Sequence, residues 1–342
     1  MSRYAPSQRP RLSIVIPTIN DTSALEETLV SVLENRPDDC EIVVALGCEY
    51  DDPWNIREEV RFVQAPVGSG YVACANIGIS ASEGDVIHIL AAGWRATSGW
   101  ADGAIERFAD GETAAVVPLA VSAADQDRVV GAGIRYGRGG RRIAIAPRKA
   151  AASVAKVAAA GIEPHGPSID AGFWRSDVLR QVGPGFSTAC GDRCADADMA
   201  ESVARTGLSV VLEPSSRVVA GQTGAGRKQP FVAGLHAERL FWRSMQGRPI
   251  VSSLVMHGVE IVRHAFARAP FGTLPMLAGR AVAMMQFGSY LARYRQLRGL
   301  VQAAAERQTA DESRTIRIDS AHSAAGRPKS RRPETVPLRR SA

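Results

Sequence analysis

The sequence predicts an α/β fold, in which a mostly parallel sheet is flanked by helices and followed by a helical C-terminal extension. Over residues 12–119, short apolar runs rich in β-branched residues alternate with segments of helical spacing. This alternation is typical of parallel sheets whose two faces are covered by helices. Beyond about residue 230 only helical spacing remains, and 342 residues suffice for one α/β domain plus an extension.

The first strand is predicted at residues 12–17, where the run LSIVIP is stopped by proline. Asn20 and Asp21 are suitable caps for the following helix, because their side chains accept hydrogen bonds from free backbone N–H groups. Four more apolar runs predict strands, with two helices between them. These strands are predicted at 41–46, 61–65, 85–90 and 114–119, and the helices at 71–82 and 100–109.

The second half of the α/β region is less regular. Residues 131–142 are rich in Gly and Arg and predict either a hairpin or a flexible loop, whereas residues 150–160 are Ala-rich, which favours a helix. Regular patterns return after residue 167. They predict an ordered segment at 168–179, a helix at 196–206 closed by Gly207, a strand at 208–214, and helices near 231–246, 250–267 and 274–302.

These patterns divide the chain into four parts. Residues 1–11 are a polar leader, 12–228 the α/β domain, 229–303 a helical extension and 304–342 a basic tail. The leader is predicted to be flexible and the tail disordered, because both are polar and have little apolar surface to bury.

The net charge of +6 is concentrated near the C-terminus. Residues 247–303 contain seven arginines and a single acidic residue, Glu260. A basic amphipathic helix of this kind can lie on an anionic membrane surface, or it can pack against the domain or a second copy. No nucleic-acid partner is expected, because the arginines of the tail lack interleaved aromatic residues. The apolar stripe is Leu277, Ala281, Met284, Gly288 and Leu291, and Arg280, Arg293, Arg295 and Arg298 are predicted on other faces.

The compartment is predicted from the cysteines and from the hydropathy pattern. Five cysteines, without a C-x-x-C pair, argue against a disulfide framework and favour a reducing compartment. The first residues contain no apolar signal segment, and no run of 18 apolar residues occurs. We therefore predict a cytoplasmic protein without a membrane span, with peripheral contact at the inner membrane face through 247–303 as an option.

Six segments carry a further pattern, in the order LSIVIPTIN, EIVV, GSGYVACANIGISASEGDVIHIL, SGWADGAIERF, AGFWRSDVLRQVGPGF and ADADMAESVARTG. Together, over residues 12–222, they resemble the family 2-like glycosyltransferases of GT-A fold. The resemblance implies a nucleotide-sugar donor across the carboxyl ends of the strands and a glycan or other hydroxyl acceptor. It also implies substrate contacts from Pro17, Thr18, Asn20 and Asn76.

The sequence departs from this family where a metal would be held. The resemblance implies an Asp-x-Asp after the strand DVIHIL, but the chain has Ala91, Ala92 and Gly93 there. Small neutral residues cannot hold Mg²⁺ or Mn²⁺, which need oxygen ligands, so no metal cofactor is expected. The carboxylate implied for the nucleobase is also missing after the second strand. Asp51 and Asp52 are either its substitute or an ordinary turn before a proline.

Without a metal, another cation is needed beside the donor diphosphate, and arginine can supply it through a bidentate fork. Arg95 lies nearest in sequence to the missing metal ligands. Arg141, Arg142 and Arg175 are further candidates, and a solvated surface arginine is the alternative for each. Among these, Arg95 and Arg175 are our predicted substrate contacts.

The catalytic base is predicted in ADADMAES, which resembles the acidic start of a family helix. Asp196 is predicted to be the base, and Asp198 a second catalytic carboxylate. The alternative is ordinary helix N-terminal chemistry, because Asp favours the first turn. Asp192 fits a loop residue better, and His88 and His165 fit core or turn histidines better than ligands.

The sequence therefore predicts an enzyme that transfers a sugar from a nucleotide-sugar to an acceptor, by a route that need not use a metal. The alternative is a catalytically inactive relative that binds a glycan or nucleotide or acts as a scaffold. The missing carboxylates favour the alternative, and the retained Asp196 and Asp198 favour the enzyme.

Overall fold

The centre of the molecule is a mixed β-sheet. A computed structural model describes residues 11–159, 163–183, 185–221 and 229–325. The strands are β1 (Leu12–Thr18), β2 (Cys40–Leu46), β3 (Arg61–Gln64), β4 (Val86–Leu90), β5 (Arg95–Ala96), β6 (Thr113–Ser122), β7 (Val129–Gly131), β8 (Ile134–Tyr136), β9 (Arg142–Ala144), β10 (Ala171–Arg175) and β11 (Ser209–Ala220). The central sheet has the order β3-β2-β1-β4-β10-β6-β11-β5, with β7 on β6, and β8 and β9 form a separate hairpin.

Helices cover both faces of this sheet and follow it along the chain. They are α1 (Thr22–Asn35), α2 (Tyr71–Ala81), α3 (Asp102–Glu106), α4 (Ala151–Ala159), α5 (Ser176–Val182), α6 (Gly191–Val203), α7 (Pro230–Arg243), α8 (Ile250–Arg268), α9 (Thr273–Met284) and α10 (Phe287–Ala325). The predicted α/β fold with a helical C-terminal region is confirmed. The Gly/Arg-rich segment is the β8–β9 hairpin, one of the two alternatives that the sequence left open.

The first half of the sheet is parallel, as predicted. β1 pairs in parallel with β2 and with β4, so that Thr18 lies beside Leu46 and Val15 beside Ile89. β10 is inserted between β4 and β6 and runs antiparallel to both. This insertion matters for the site, because it brings the first residue of β10, Ala171, next to Leu90 at the end of β4.

Two apolar clusters pack on opposite faces of the sheet. Ile14 and Ile16 of β1 belong to one cluster, which α1 covers, whereas Val15 belongs to the other. The second cluster includes residues of α2, α5 and α6, and also Leu297 and Leu300 of α10. The C-terminal extension is therefore part of the same core as the α/β domain.

His88 lies in this core, in the middle of β4. Its ring is fully buried between Trp100 and Phe173, with ring centroids 4.5 and 3.9 Å away. Burial disfavours the charged imidazolium and lowers the pKa of His88 to about 3. The core interpretation of this histidine therefore fits the structure.

This burial predicts a loss of stability in mild acid. An unfolded histidine has a pKa of ~6.5, so the unfolded chain takes up a proton that folded His88 does not bind, and stability falls as the pH drops below that value. At pH 5 this amounts to about 2 kcal/mol of unfolding free energy. Urea titrations measure the unfolding free energy at pH 7 and at pH 5. The loss of stability between these two pH values should be smaller in His88→Phe than in the wild type, by about the same amount. An unchanged pH dependence in the variant would contradict the assignment.

The third predicted C-terminal helix is two helices in the structure. The chain turns at Met285 and Gln286, and the Tyr290 hydroxyl then donates to the carbonyl of Ala283 across the turn. Helical spacing continues through the turn, so the sequence pattern does not reveal it.

The tail prediction needs a correction. α10 continues to Ala325, so residues 304–325 are helical rather than disordered. This stretch contains neither glycine nor proline, and Gly326 is the first helix-breaking residue after it. Residues 326–342 and the leader residues 1–10 lie outside the described residues.

Two arginines of the C-terminal helices, which the sequence places on faces other than the apolar stripe, are buried. Arg280 donates to Glu238 of α7 at 2.6 Å, and Arg293 reaches Asp198 of α6 at 3.0 Å. Each guanidinium is turned inward because a buried carboxylate compensates its charge. In the described part of the chain, no helix combines the length and the apolar character needed to span a membrane.

Candidate functional site

The carboxyl ends of the parallel strands form one edge of the sheet. β1, β2 and β4 end there at Thr18, Leu46 and Leu90. Because β10 runs in the opposite direction, its start joins the same edge, and the Ala91 N–H donates to the backbone oxygen of Asp170 at 2.8 Å. Sheets of this kind place ligands at this edge, so it is the candidate site.

The turn after β4 offers no metal ligands. Ala91, Ala92 and Gly93 carry no side-chain oxygen, and the Gly93 N–H donates a hydrogen bond to the Thr28 hydroxyl at 2.8 Å. Within the described ranges, no group of three or more His, Cys, Asp or Glu residues is arranged to hold a metal ion. The residues at this edge therefore do not fit the divalent metal that the family resemblance implies, because Mg²⁺ and Mn²⁺ need several oxygen ligands.

Asp170 is the carboxylate closest to the end of β4 in the sheet. Its side chain is partly exposed, and the Ser168 hydroxyl donates to its Oδ2 at 3.0 Å. Burial of most of the carboxyl, and then the negative charge of Asp196, raise the pKa of Asp170. A carboxylate with a raised pKa is a stronger base than an ordinary aspartate.

Asp196 lies behind Asp170 and is closed off from solvent. Both its oxygens are held by Arg142, with Nε 2.9 Å from each oxygen and Nη2 2.6 Å from Oδ2. The backbone N–H groups of Ile169 and Ala197 donate to the same carboxylate. The Asp196 side chain is 1% exposed and the Arg142 side chain 28%, so Arg142 is the more accessible residue of this pair.

The start of α6 differs from the prediction. The helix begins at Gly191, where the positive φ of 61° suits glycine and a Cβ would collide with His236. Asp196 is therefore in the second turn rather than at the helix start. Asp192 occupies the first turn, and its Oδ1 accepts from the Val72 N–H at 3.2 Å, which ties α6 to the start of α2.

Comparisons with known proteins show which family the sequence resembles. Residues 13–154 match the sequence model of glycosyl transferase family 2. A segment of 128 residues is 30% identical to polypeptide N-acetylgalactosaminyltransferase 12 of Mus musculus, and it covers 34% of this chain and 22% of that protein. The match thus spans less than a quarter of the curated relative.

Solved structures agree on the fold. A mannosyltransferase from Pyrobaculum calidifontis in complex with GDP-Man and Mn²⁺ superposes with a TM-score of 0.52 at 18% identity, over 87% of this chain and 85% of that chain. GalNAc-T7 with UDP, GalNAc and Mn²⁺ superposes with a TM-score of 0.56 at 15% identity, over 81% and 55%. The chain is family 2-like in sequence and GT-A in fold. The predicted resemblance is therefore confirmed.

The family match covers the ends of β1, β2 and β4 but not the two carboxylates beside them. Asp170 and Asp196 both follow residue 154, whereas their neighbour Arg142 lies inside the matched span. In this family 2-like chain, the fold therefore brings a residue of the matched segment into contact with a carboxylate outside it.

Asp198 is on the opposite side of α6 from Asp196, because residues two positions apart in a helix point about 200° away from each other. Its oxygens accept from Arg243 of α7 at 2.7 and 2.9 Å and from Arg293 of α10 at 3.0 Å. Burial alone would raise the pKa of Asp198, but the two arginines outweigh it and lower that pKa. The predicted catalytic role does not fit this position, where Asp198 anchors the C-terminal helices.

Three predicted substrate contacts either lie away from the candidate site or form hydrogen bonds within the protein. Asn76 exchanges two hydrogen bonds with the backbone of Phe186, at 2.7 and 2.8 Å, so its carboxamide holds that turn. Arg175 pairs with Val86 at the start of β4, the opposite end from the candidate site. Its guanidinium donates to the carbonyls of Thr113 and Phe108. Arg95, at the outer edge of the sheet on β5, is exposed.

The end of β1 and the turn that follows it do lie at the candidate site. Pro17 and Thr18 are buried at the end of β1, and Asn20 is exposed just beyond them. Asp21 caps α1, since its Oδ1 accepts from the Ala24 N–H at 2.9 Å. Of the three predicted contacts here, the Asn20 side chain is the one that solvent reaches.

Asp51 and Asp52, the two carboxylates after β2, differ in their exposure to solvent. Asp52 is buried in a turn, where its Oδ1 accepts from the Ile56 N–H at 3.2 Å and its Oδ2 lies 3.4 Å from Arg57. Its φ of 48° is a left-handed conformation that Asp tolerates in turns. The turn interpretation thus holds for Asp52, and Asp51 is exposed beside it.

Sequence reasoning missed Asp170, which is more accessible than Asp196. Asp170 directly precedes the strand AGFWR, a position that carries no motif of its own. Its role in the site depends on β10 running antiparallel to β4, and the hydrophobic pattern of a strand does not contain its direction.

Proposed function

We propose that the chain transfers a sugar from a nucleotide-sugar donor to an acceptor hydroxyl at the edge formed by the ends of β1, β2 and β4. The proposal is supported by the family 2-like sequence and the GT-A fold. The observation that carries it is Asp170, a partly exposed carboxylate with a raised pKa, next to the Asp196–Arg142 pair.

Asp170 is the proton acceptor in this proposal. The acceptor oxygen forms a bond to the anomeric carbon, its proton passes to the Asp170 carboxylate, and the bond from the anomeric carbon to the diphosphate oxygen breaks. The diphosphate leaves with that electron pair. A positioned base of this kind typically contributes about 10²–10⁴-fold in rate, and its raised pKa brings it closer to neutral pH.

Asp196 is a positioning residue and Arg142 the cation at the donor diphosphate. A buried carboxylate holds one edge of the guanidinium, so the orientation of Arg142 is fixed while its side chain stays partly exposed. Such a guanidinium can donate to phosphate oxygens and stabilise the charge of the departing diphosphate. No step is assigned to a metal, because the side chains after β4 cannot hold one.

A catalytically inactive protein that binds a glycan or a nucleotide is the second candidate. Ala91, Ala92 and Gly93 favour it, because the usual ligands of the donor-bound metal are missing from this turn. In that case donor binding would persist, but turnover would be undetectable.

Thermal unfolding with a panel of nucleotide-sugars tests both candidates. A donor present at 100 times its Kd should stabilise the fold by about 2.7 kcal/mol, and a donor-specific rise in Tm is expected. The rise should be the same with EDTA as with Mn²⁺, because the turn directly after β4 (Ala91, Ala92 and Gly93) has no carboxylate. A saturable Mn²⁺ requirement would contradict the metal-free route, and binding without turnover across an acceptor panel would favour the inactive alternative.

A further inference from the structure

Helix α8 has its polar side inward. Ser253, His257, Glu260 and His264 recur at helical spacing on the side that faces the protein, and Ser253 and His257 are buried. The His257 Nδ1 lies 2.8 Å from the Gly139 carbonyl, and its Nε2 lies 3.0 Å from a Glu238 oxygen. A surface helix of a water-soluble domain normally has the reverse arrangement.

The outward side of α8 is apolar. Val251, Leu254, Val255, Val262 and Phe266 fall on one side of the helix, opposite the buried polar residues, and all are exposed. Val251 and Phe266 are 77% and 78% exposed. We call these five residues the α8 apolar face. Packing against the domain, one of the alternatives that the sequence left open, does not cover it.

The neighbouring helices continue this exposed apolar surface. Phe271 and Leu274, at the start of α9, and Met285, at its end, are 91%, 77% and 85% exposed. α8 and α9 contact each other through Thr273, whose hydroxyl donates to the Ala265 carbonyl at 2.9 Å. Every member of the predicted apolar stripe is exposed as well: Leu277, Ala281, Met284, Gly288 and Leu291.

The C-terminal helices that carry this surface have a net positive charge. Arg268, Arg295 and Arg298 form no ion pair with any described residue, and Glu260, the single acidic residue of 247–303, already pairs with Arg263 at 2.6 Å. Two copies facing each other through this surface would bring their unpaired arginines together, which like-charge repulsion disfavours. An anionic surface is the complementary partner.

We propose that the α8 apolar face and the exposed residues of α9 dock on the surface of a membrane that contains anionic lipid. The helices lie in the interface plane, with apolar side chains among the acyl chains and arginines at the head groups. Exposed apolar surface of this extent on a folded chain marks an interaction site. The inference does not depend on the proposed sugar transfer, because it rests on residues outside the candidate site.

Vesicle sedimentation tests the proposal on the full chain. Vesicles of phosphatidylcholine alone, and of phosphatidylcholine mixed with phosphatidylglycerol, are compared for the wild type, for Val255→Asp with Val262→Asp, and for Arg295→Gln with Arg298→Gln. The matched control is Val67→Asp, a substitution at an 80% exposed valine of the α/β domain. Circular dichroism verifies that each variant is folded.

The wild type should sediment with the anionic vesicles, and increasing salt should weaken the binding. The double aspartate variant should lose binding, while Val67→Asp should match the wild type. Loss of two arginines should lower the partition coefficient about 30-fold, given about 1 kcal/mol per basic residue near an anionic surface. No binding by the wild type, or equal binding by all variants, would overturn the proposal. Sedimentation velocity measures whether the chain self-associates. If it does, and if Val255→Asp with Val262→Asp abolishes the association, the α8 apolar face binds a second copy instead of a membrane.

Discussion

Replacing Asp170 by asparagine is expected to lower the rate of sugar transfer by about 10²–10⁴-fold, the usual contribution of a general base. The substitution keeps the size and the hydrogen bond to Ser168, but it removes the oxygen that accepts the proton. Folding should be unaffected, since the side chain is partly exposed. The measurement is single-turnover transfer with the best donor of the thermal-shift panel, and the matched control is Asp127→Asn at an exposed position.

The variant Asp196→Asn distinguishes the role of Asp196 from that of Asp170. If Asp196 acts by positioning Arg142, its loss should lower the rate less than the loss of Asp170 does. The negative charge of Asp196 is one of the causes that raise the pKa of Asp170. Its removal should therefore lower that pKa, so the acid limb of the pH–rate profile should move to lower pH.

The opposite result would restore the interpretation drawn from the sequence. If Asp196→Asn loses 10²–10⁴-fold and Asp170→Asn turns over at the wild-type rate, Asp196 is the base and the Arg142 pair must open during catalysis. The two outcomes differ in both rate and pH profile, so one set of measurements decides between them.

Replacing Asp198 by alanine is expected to lower the free energy of unfolding by about 3–5 kcal/mol, the usual effect of removing one partner from a buried ion pair. The side chains of Arg243 and Arg293 are 11% and 6% exposed, so both charges would lose their compensating carboxylate while buried. Urea titration at pH 7 measures the change. As a matched control, Glu59→Gln removes the partner of Arg36 at an exposed position and should cost no more than about 1 kcal/mol.

The pH dependence and the activity of Asp198 variants test its role further. Because the folded pKa of Asp198 is lowered, its contribution is present above the unfolded pKa of ~3.9 and is lost as the pH falls through the folded value. It should therefore be intact at pH 5, where the His88 contribution is already reduced. Asp198→Asn should keep wild-type turnover per folded molecule. A large loss of turnover without loss of stability would show that Asp198 is catalytic after all.

The sequence by itself determined the strands β1, β2, β3, β4 and β6 of the α/β half. Residues 12–17 and 85–90 could be predicted as strands because each is a short, continuous apolar run, and buried strands need little more than that. The missing metal ligands were equally visible, since Ala91, Ala92 and Gly93 follow such a strand directly. Their chemistry does not depend on the rest of the fold.

Helix spacing determined that the C-terminal region is helical and partly apolar, but it did not determine which side faces the protein. Periodicity describes one helix and is the same whether its apolar side is buried or exposed. The burial of His257 and Arg280 decides the orientation, and both depend on Glu238 of α7. The exposed α8 apolar face is thus a consequence of tertiary contacts.

The composition of the candidate site was decided by the tertiary structure alone. Arg142 and Asp196 are 54 positions apart, and Asp170 reaches them because β10 inserts antiparallel between β4 and β6. Strand order and direction arise from how whole elements pack, so no local pattern around Asp170 or Arg142 contains them. The sequence determined which chemical groups are present and where one expected group is missing. Only the fold decided which of them meet, because a buried ion pair forms between residues that packing brings together.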